Sequence, residues 1–252
     1  MAKHSKWHNI KHKKAASDAI KSKIYTKVAK LIEIAARSWS DPRLNPSLDT
    51  VLIKARANNL PKDVIERAIK KGSGATGGEN FEEIYYEGYG PGGSAIYIKT
   101  LTPNKNRTSG NIRLLLTRGG ANIWEPGSVS WQFKERGVFY ITGEIEKKFE
   151  KGKDVEIEKP LDLEKLEENI LEMEAEDFEE IDDGIRLITA KENFASTLKF
   201  LEANGYKLEE ASIEFIPENY VSLGDEESAK LERLIENLEE DDDVDSVYHN
   251  AE

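Results

Sequence analysis

Apolar residues recur at helical spacing from residue 17 to residue 39: Ile20, Ile24, Val28, Leu31, Ile32, Ala35 and Trp39 fall within about a third of a helix circumference. At about 100° per residue, Lys23, Lys27, Lys30 and Arg37 gather on the opposite side. The pattern predicts an amphipathic helix with one core face and one basic stripe, opened by Ser17 and Asp18. DPRLNP (41–46) is a turn-rich break, after which Ser47 is expected to cap a second helix carrying Leu48, Val51, Leu52 and Ala55 inward. NNLP (58–61) ends that helix. Pro61 opens a third, with Val64, Ile65, Ala68 and Ile69 inward and the pairs Asp63–Arg67 and Glu66–Lys70 outside, closed by Lys70, Lys71 and Gly72.

From residue 81 the period shortens towards two. The expected strands are IYYEGYGPGG (84–93, strand then turns), SAIYIKTL (94–101) and GSVSWQF (127–133), with a helix after PNKNRT that turns Ile112, Leu115 and Leu116 inward. NYVSLGD (219–225), a helix on Leu231, Leu234, Ile235 and Leu238, and VDSVYHN (244–250) read as β-α-β. Between them, GVFYITG, a helix over 162–174, FEEI, IRLITA, a helix over 193–204 and KLEEASIEF read β-α-β-β-α-β, the split β-α-β pattern of a ferredoxin-like sandwich. The expected class is α+β with three domains: helical residues 1–75, a discontinuous α/β domain of 80–134 plus 216–252, and an acidic α/β domain of 135–215 inserted in it. GSGATGG (72–78) matches G-x-G-x-x-G. It follows a helix rather than a strand, so a linker is expected and not a nucleotide site.

Charge changes this picture. The net charge of −12 conceals a segregation. Residues 1–71 hold 17 Lys and Arg against 6 Asp and Glu, a net +11, and the remainder carries −23. Nine lysines and one acid, Asp18, occupy the first thirty residues, together with His4, His8, His12 and Trp7. Lysines release counterions from phosphates and a flat ring stacks on a base, so this arm points to a polyanion. A second basic spot is Lys105, Asn106, Arg107 and Thr108, followed by Arg113 and Arg118, at a helix entry suited to phosphate. The carboxylate runs Glu172 to Asp183 and Glu239 to Asp243 are expected to be solvated helix ends and loops.

The absence of cysteine excludes disulfides and thiol chemistry. The histidines at 4, 8 and 12 have helical spacing, but neighbouring lysines would repel a cation, so no metal and no cofactor are expected. No nucleophile elbow or P-loop frames a catalytic group, and no enzyme is expected. With neither a membrane span nor an apolar signal core, and no arginine in the first thirty residues for a mitochondrial presequence, the chain reads as soluble and cytoplasmic.

HSKWHNIKHKKAASDA (4–19), KIYTK (23–27), NNLPKDVIERAIKKGSG (58–74), YEGYGPGG (86–93), NKNRT (104–108), GSVSWQF (127–133) and DDVDSVYHN (242–250) together resemble the YebC family of bacterial regulators, whose mitochondrial relatives activate translation of cytochrome c oxidase. The resemblance implies a helical domain followed by two α/β domains, and a non-enzymatic regulator of gene expression. Departures are Lys3 in place of glycine, fewer basic residues around Ile20, Ser22, Ser47 and Asp49, and a longer segment 121–129 carrying Trp124. Two roles follow for such a family: a DNA-binding transcription regulator, or a factor that binds ribosomal RNA and relieves stalling, notably at proline runs. No helix-turn-helix with a base-reading face is evident, and a His/Lys/Trp arm suits irregular RNA, so the ribosome is preferred. An acidic protein-interaction scaffold is a third possibility. The nucleic-acid-binding set expected is His4, Lys6, Trp7, Asn9, Lys11, His12, Lys13, Lys14, Lys23, Lys27, Lys30, Asn106 and Arg107, in a monomer without membrane contact.

Overall fold

The computed structural model describes residues 18–74, 80–150, 153–170 and 172–252. Three helices come first: α1 (Asp18–Ala35), α2 (Pro46–Ala57) and α3 (Lys62–Gly72). They bury Val28, Ile32, Ala35, Leu48, Leu52, Ala55 and Ala68 against one another, the faces that the helical period selects. Trp39 departs from that period: α1 stops at Ala35 and the chain turns, leaving Trp39 66% exposed. The cap of α2 is Asn45 rather than Ser47. Its Oδ1 accepts from Leu48 N at 3.1 Å, while Nδ2 donates to Ala35 O at 2.8 Å and Trp39 O at 2.7 Å. One buried side chain thus closes α1 and opens α2. Asp63–Arg67 forms at 3.0 Å, whereas Glu66 pairs with Lys62 at 3.8 Å rather than with Lys70.

A four-stranded antiparallel sheet follows, in the order β3-β1-β2-β9, from β1 (Glu82–Tyr89), β2 (Ala95–Thr102), β3 (Asn122–Trp124) and β9 (Val244–His249). Helices α4 (Lys105–Arg118) and α7 (Asp225–Glu239) share a core with one face of it, built on Ile96, Ile98, Ile112, Leu116, Leu231, Leu234 and Leu238. Between β3 and α7 the chain builds a second antiparallel sheet from β4 (Phe133–Glu150), β5 (Lys153–Lys159), β6 (Ala175–Ile181), β7 (Gly184–Ala190) and β8 (Tyr206–Pro217). Here β4 pairs with β5, β7 and β8, and β7 with β6. Helices α5 (Leu163–Ile170) and α6 (Phe194–Ala203) supply Leu166, Leu198 and Leu201 to its core, beside Phe139 and Leu187.

Three expectations for this region are corrected. Residues 219–225 form no strand, only a single parallel bridge from Val221 to Ala251. In 127–133, Ser130–Gln132 is a helical turn and the strand starts at Phe133. Strands β3 and β5 were not expected. The two sheets meet through rings: Phe215 of β8 stands edge-on to Tyr97 at 4.9 Å and to Tyr248 at 5.3 Å.

Candidate nucleic-acid interface

Eight of the expected contact residues, His4, Lys6, Trp7, Asn9, Lys11, His12, Lys13 and Lys14, lie outside the described residues. The other five are placed as follows. Lys23 is exposed, with Glu240 at 3.8 Å. Lys27 and Lys30 do not project into solvent as the basic stripe implies. Lys27 Nζ donates to the carbonyls of Glu239 and, at 2.9 Å, Val244, while Lys30 Nζ donates to Asp242 O at 3.1 Å and lies 3.4 Å from Asp243 Oδ1. Asn106 and Arg107 sit in the exposed first turn of α4, where Asn104 Oδ1 accepts from Arg107 N at 3.2 Å.

These threads converge on Asp243, which is 5% exposed. Its Oδ2 accepts from Arg107 at 2.7 Å and from Thr108 Oγ1 at 2.8 Å. Thr108 has a single hydroxyl hydrogen, given to the carboxylate, so Thr102, 2.7 Å away, donates to Thr108 in turn. Burial pushes the Asp243 carboxyl up. The Arg107 and Thr108 hydrogen bonds and the charges of Lys30 and Arg107 outweigh it, holding the group below the usual carboxylate range. The run Glu239 to Asp243 is therefore not simply solvated: its last carboxylate is a buried clasp between α1, α4 and the turn before β9. Glu172 to Asp183 is mostly exposed, as expected, but most of it forms strand β6 rather than helix ends and loops, and Glu179 pairs with Arg186 at 2.8 Å. Sequence reasoning missed Asp243 because its partners are distant in the chain.

A profile described as the TACO1/YebC N-terminal domain matches residues 5–75, and one described as the TACO1/YebC second and third domain matches residues 81–251. The chain belongs to the TACO1/YebC family. Relatives aligned over 253 residues are a probable transcriptional regulatory protein of Thermoanaerobacter pseudethanolicus, 43% identical, and one of Treponema pallidum, 42% identical; each alignment covers 100% of this chain and 97% of the relative. The crystal structure of a conserved hypothetical protein from Aquifex aeolicus superposes with a TM-score of 0.80 at 34% identity, covering 94% of this chain and 93% of that one.

In this TACO1/YebC chain the segment bearing Trp124 is fixed from below by Glu87. That carboxylate, 5% exposed, accepts from the backbone N–H groups of Gly127 at 2.8 Å, Val129 at 2.6 Å and Ser130 at 2.9 Å. Burial raises its pKa, and the three N–H bonds more than reverse this. Trp124, at the end of β3, and Trp131, in the helical turn after the segment so held, stand 56% and 67% exposed. Among the described residues no cluster of histidine and carboxylate suits a metal ion, and no helix is long and apolar enough to cross a membrane.

Proposed function

We propose that this chain is a non-enzymatic, nucleic-acid-binding regulator of gene expression that acts at the ribosome, contacting ribosomal RNA and relieving stalls such as those at proline runs. The observation that carries this reading is the charge segregation: +11 over residues 1–71 in a chain whose remainder is −23. The clasp refines which cations serve. Lys27 and Lys30 hold the acidic turn, so the phosphate contacts fall to the arm with Lys6, Lys11, Lys13 and Lys14, to the exposed Lys23, and to Asn106 and the solvent side of Arg107. In this reading Trp7 stacks on an unpaired base, with His4, Asn9 and His12 beside it. The protein works as a cytoplasmic monomer of three domains, 1–75, 80–134 with 216–252, and 135–215.

A second reading, binding to promoter DNA, is favoured by the names of the relatives, probable transcriptional regulatory proteins. Titration of wild type and Trp7→Ala against ribosomes, promoter DNA and scrambled duplex separates the two. The ribosomal reading expects Trp7→Ala to cost about 1–3 kcal/mol against structured RNA and to slow synthesis through a proline run in a reconstituted system. Strong preference for one promoter, with ribosomes bound no better than scrambled DNA, defeats it.

A further inference from the structure

Residues 72–252 hold 19 Lys and Arg against 42 Asp and Glu, so a cation in this part of the chain is rarely far from a carboxylate. Arg118 and Arg233 are exceptions. Among the described residues neither side chain has an ion pair or hydrogen bond, and both are exposed. They line the same groove, a half-open cleft of about 630 Å³ between the C-terminal half of α4, α7 and the turn at Pro91–Gly92.

The sequence builds this cleft by helical spacing. Lys230, Arg233 and Asn237 recur at i, i+3 and i+7 on α7, while Leu231, Leu234, Ile235 and Leu238 face the sheet. On α4, Arg107, Asn111, Leu115 and Arg118 share the side turned towards α7. Asn111 Nδ2 reaches Asp241 Oδ2 at 3.2 Å near one end of the pair. Near the other end Gly119 packs so closely on Leu234 that a Cβ there would lie 2.6 Å from its Cδ1. The two helices are thus antiparallel, and Arg118 lies eleven residues from Arg107, about 16 Å along the axis and away from the acidic turn before β9. Lys230 is already paired with Glu226 at 2.7 Å, and Glu227, the one carboxylate lining the cleft, lies 3.3 Å from Gly224 N and caps α7. Among the described residues the two guanidiniums are thus the cleft's cations without an ion pair, with Lys230 beside them in an exposed i,i+4 pair.

We propose that this α4–α7 groove is a second phosphate-backbone site, in which Arg118 and Arg233 each hold a phosphate of a nucleic acid whose first contacts are made by the N-terminal arm. The inference rests on the nucleic-acid reading above and extends it to the sheet domain. Guanidinium forks suit phosphate and carboxylate alike, so an acidic peptide is the competing occupant. The groove disfavours it: no aromatic side chain lines the cleft, and its apolar lining is Pro91, Leu115 and Leu234, so it lacks the buried aromatic anchor pocket typical of a peptide interface.

The test uses the full chain and a fluorescent poly(U) 30-mer titrated across a salt series, with wild type, Arg118→Gln/Arg233→Gln, the charge-conserving Arg118→Lys/Arg233→Lys, and Lys11→Gln/Lys13→Gln/Lys14→Gln. Each phosphate contact on a single strand contributes about −0.7 to the log–log salt slope, so the glutamine pair is expected to flatten it by about 1.4 and to weaken binding roughly 10–30-fold at 0.1 M salt. The lysine pair should keep most of the slope, and equal thermal midpoints establish that all variants are folded. An unchanged slope and affinity in the glutamine pair overturns the groove, even where the arm variant loses binding and the proposed function stands. Loss in the glutamine pair but not in the arm variant supports the groove and counts against the arm. Failure of both variants to change binding overturns both. A poly-glutamate peptide that binds wild type but not the glutamine pair, with poly(U) binding unaltered, assigns the groove to acidic peptides and overturns the proposal.

Discussion

Glu87 shows what one buried carboxylate can organise. Three backbone N–H groups, from the turn at Gly127 to the start of the helical turn at Ser130, end on it, so the conformation of the segment between Trp124 and Trp131 depends on its charge. Glu87→Gln keeps the volume but offers one acceptor oxygen where two are needed, leaving a backbone N–H unsatisfied. It is expected to destabilise the fold by about 1–3 kcal/mol at neutral pH. The pKa of Glu87 is depressed in the folded state, so its contribution is complete above the unfolded value of about 4.3 and disappears as pH falls through the folded value. Urea unfolding of both proteins between pH 7 and pH 3 should therefore show the gap narrowing at the acid end. A gap independent of pH would remove the charge from the explanation.

At the scale of elements, α3 ends in close contact with α1. A Cβ on Gly72 would lie 2.2 Å from Glu33 O and 2.8 Å from Ala36 Cβ, and Lys71 is joined to the buried Glu33 at 2.8 Å beside it. Gly72→Ala is expected to cost about 1–3 kcal/mol through overpacking, exceeding the gain in helix propensity of up to about 1 kcal/mol. A lower urea midpoint with unchanged slope would show it; an equal midpoint would mean the crossing yields easily. The helices here were legible because amphipathic period and burial coincide from Val28 to Ile69. The period overran at Trp39, where apolar spacing continues past the point at which the chain turns. The cap at Asn45 was legible in principle, since Pro46 belongs at the first helical position. Strand β5 was obscured by its charge: in KDVEIEK only Val155 and Ile157 are apolar, alternating with Asp154, Glu156 and Glu158. Its signal was the opposite-charge partners Lys147↔Glu156, Glu144↔Lys159 and Glu150↔Lys153 across the hairpin. The candidate site was half legible: composition exposes a basic arm, but nothing local says that Lys27 faces the carbonyls of Glu239 and Val244, and Lys30 the carboxylate of Asp243, rather than a phosphate.

Over the whole molecule, Asp243 joins α1 and α4 to the turn before β9, and Lys54 of α2 adds a link to Glu210 of the second sheet at 3.0 Å. Asp243→Asn removes the charge at the centre and is expected to cost about 1–3 kcal/mol. Hydrogen exchange along α1 should accelerate in this variant at neutral pH. In wild type the same loosening should appear only on acidification through the depressed Asp243 value, because the carboxylate's contribution is lost as it protonates. Unaltered exchange in α1 would show that the clasp does not hold the helices. The clasp also sets a clock. Lys27 and its acceptor Glu239 are 212 residues apart. At about 5–20 residues per second, roughly 10–40 s separate their emergence during translation. For that interval the newborn helices show both lysines uncovered, so the nascent chain carries a more strongly basic surface than the finished protein.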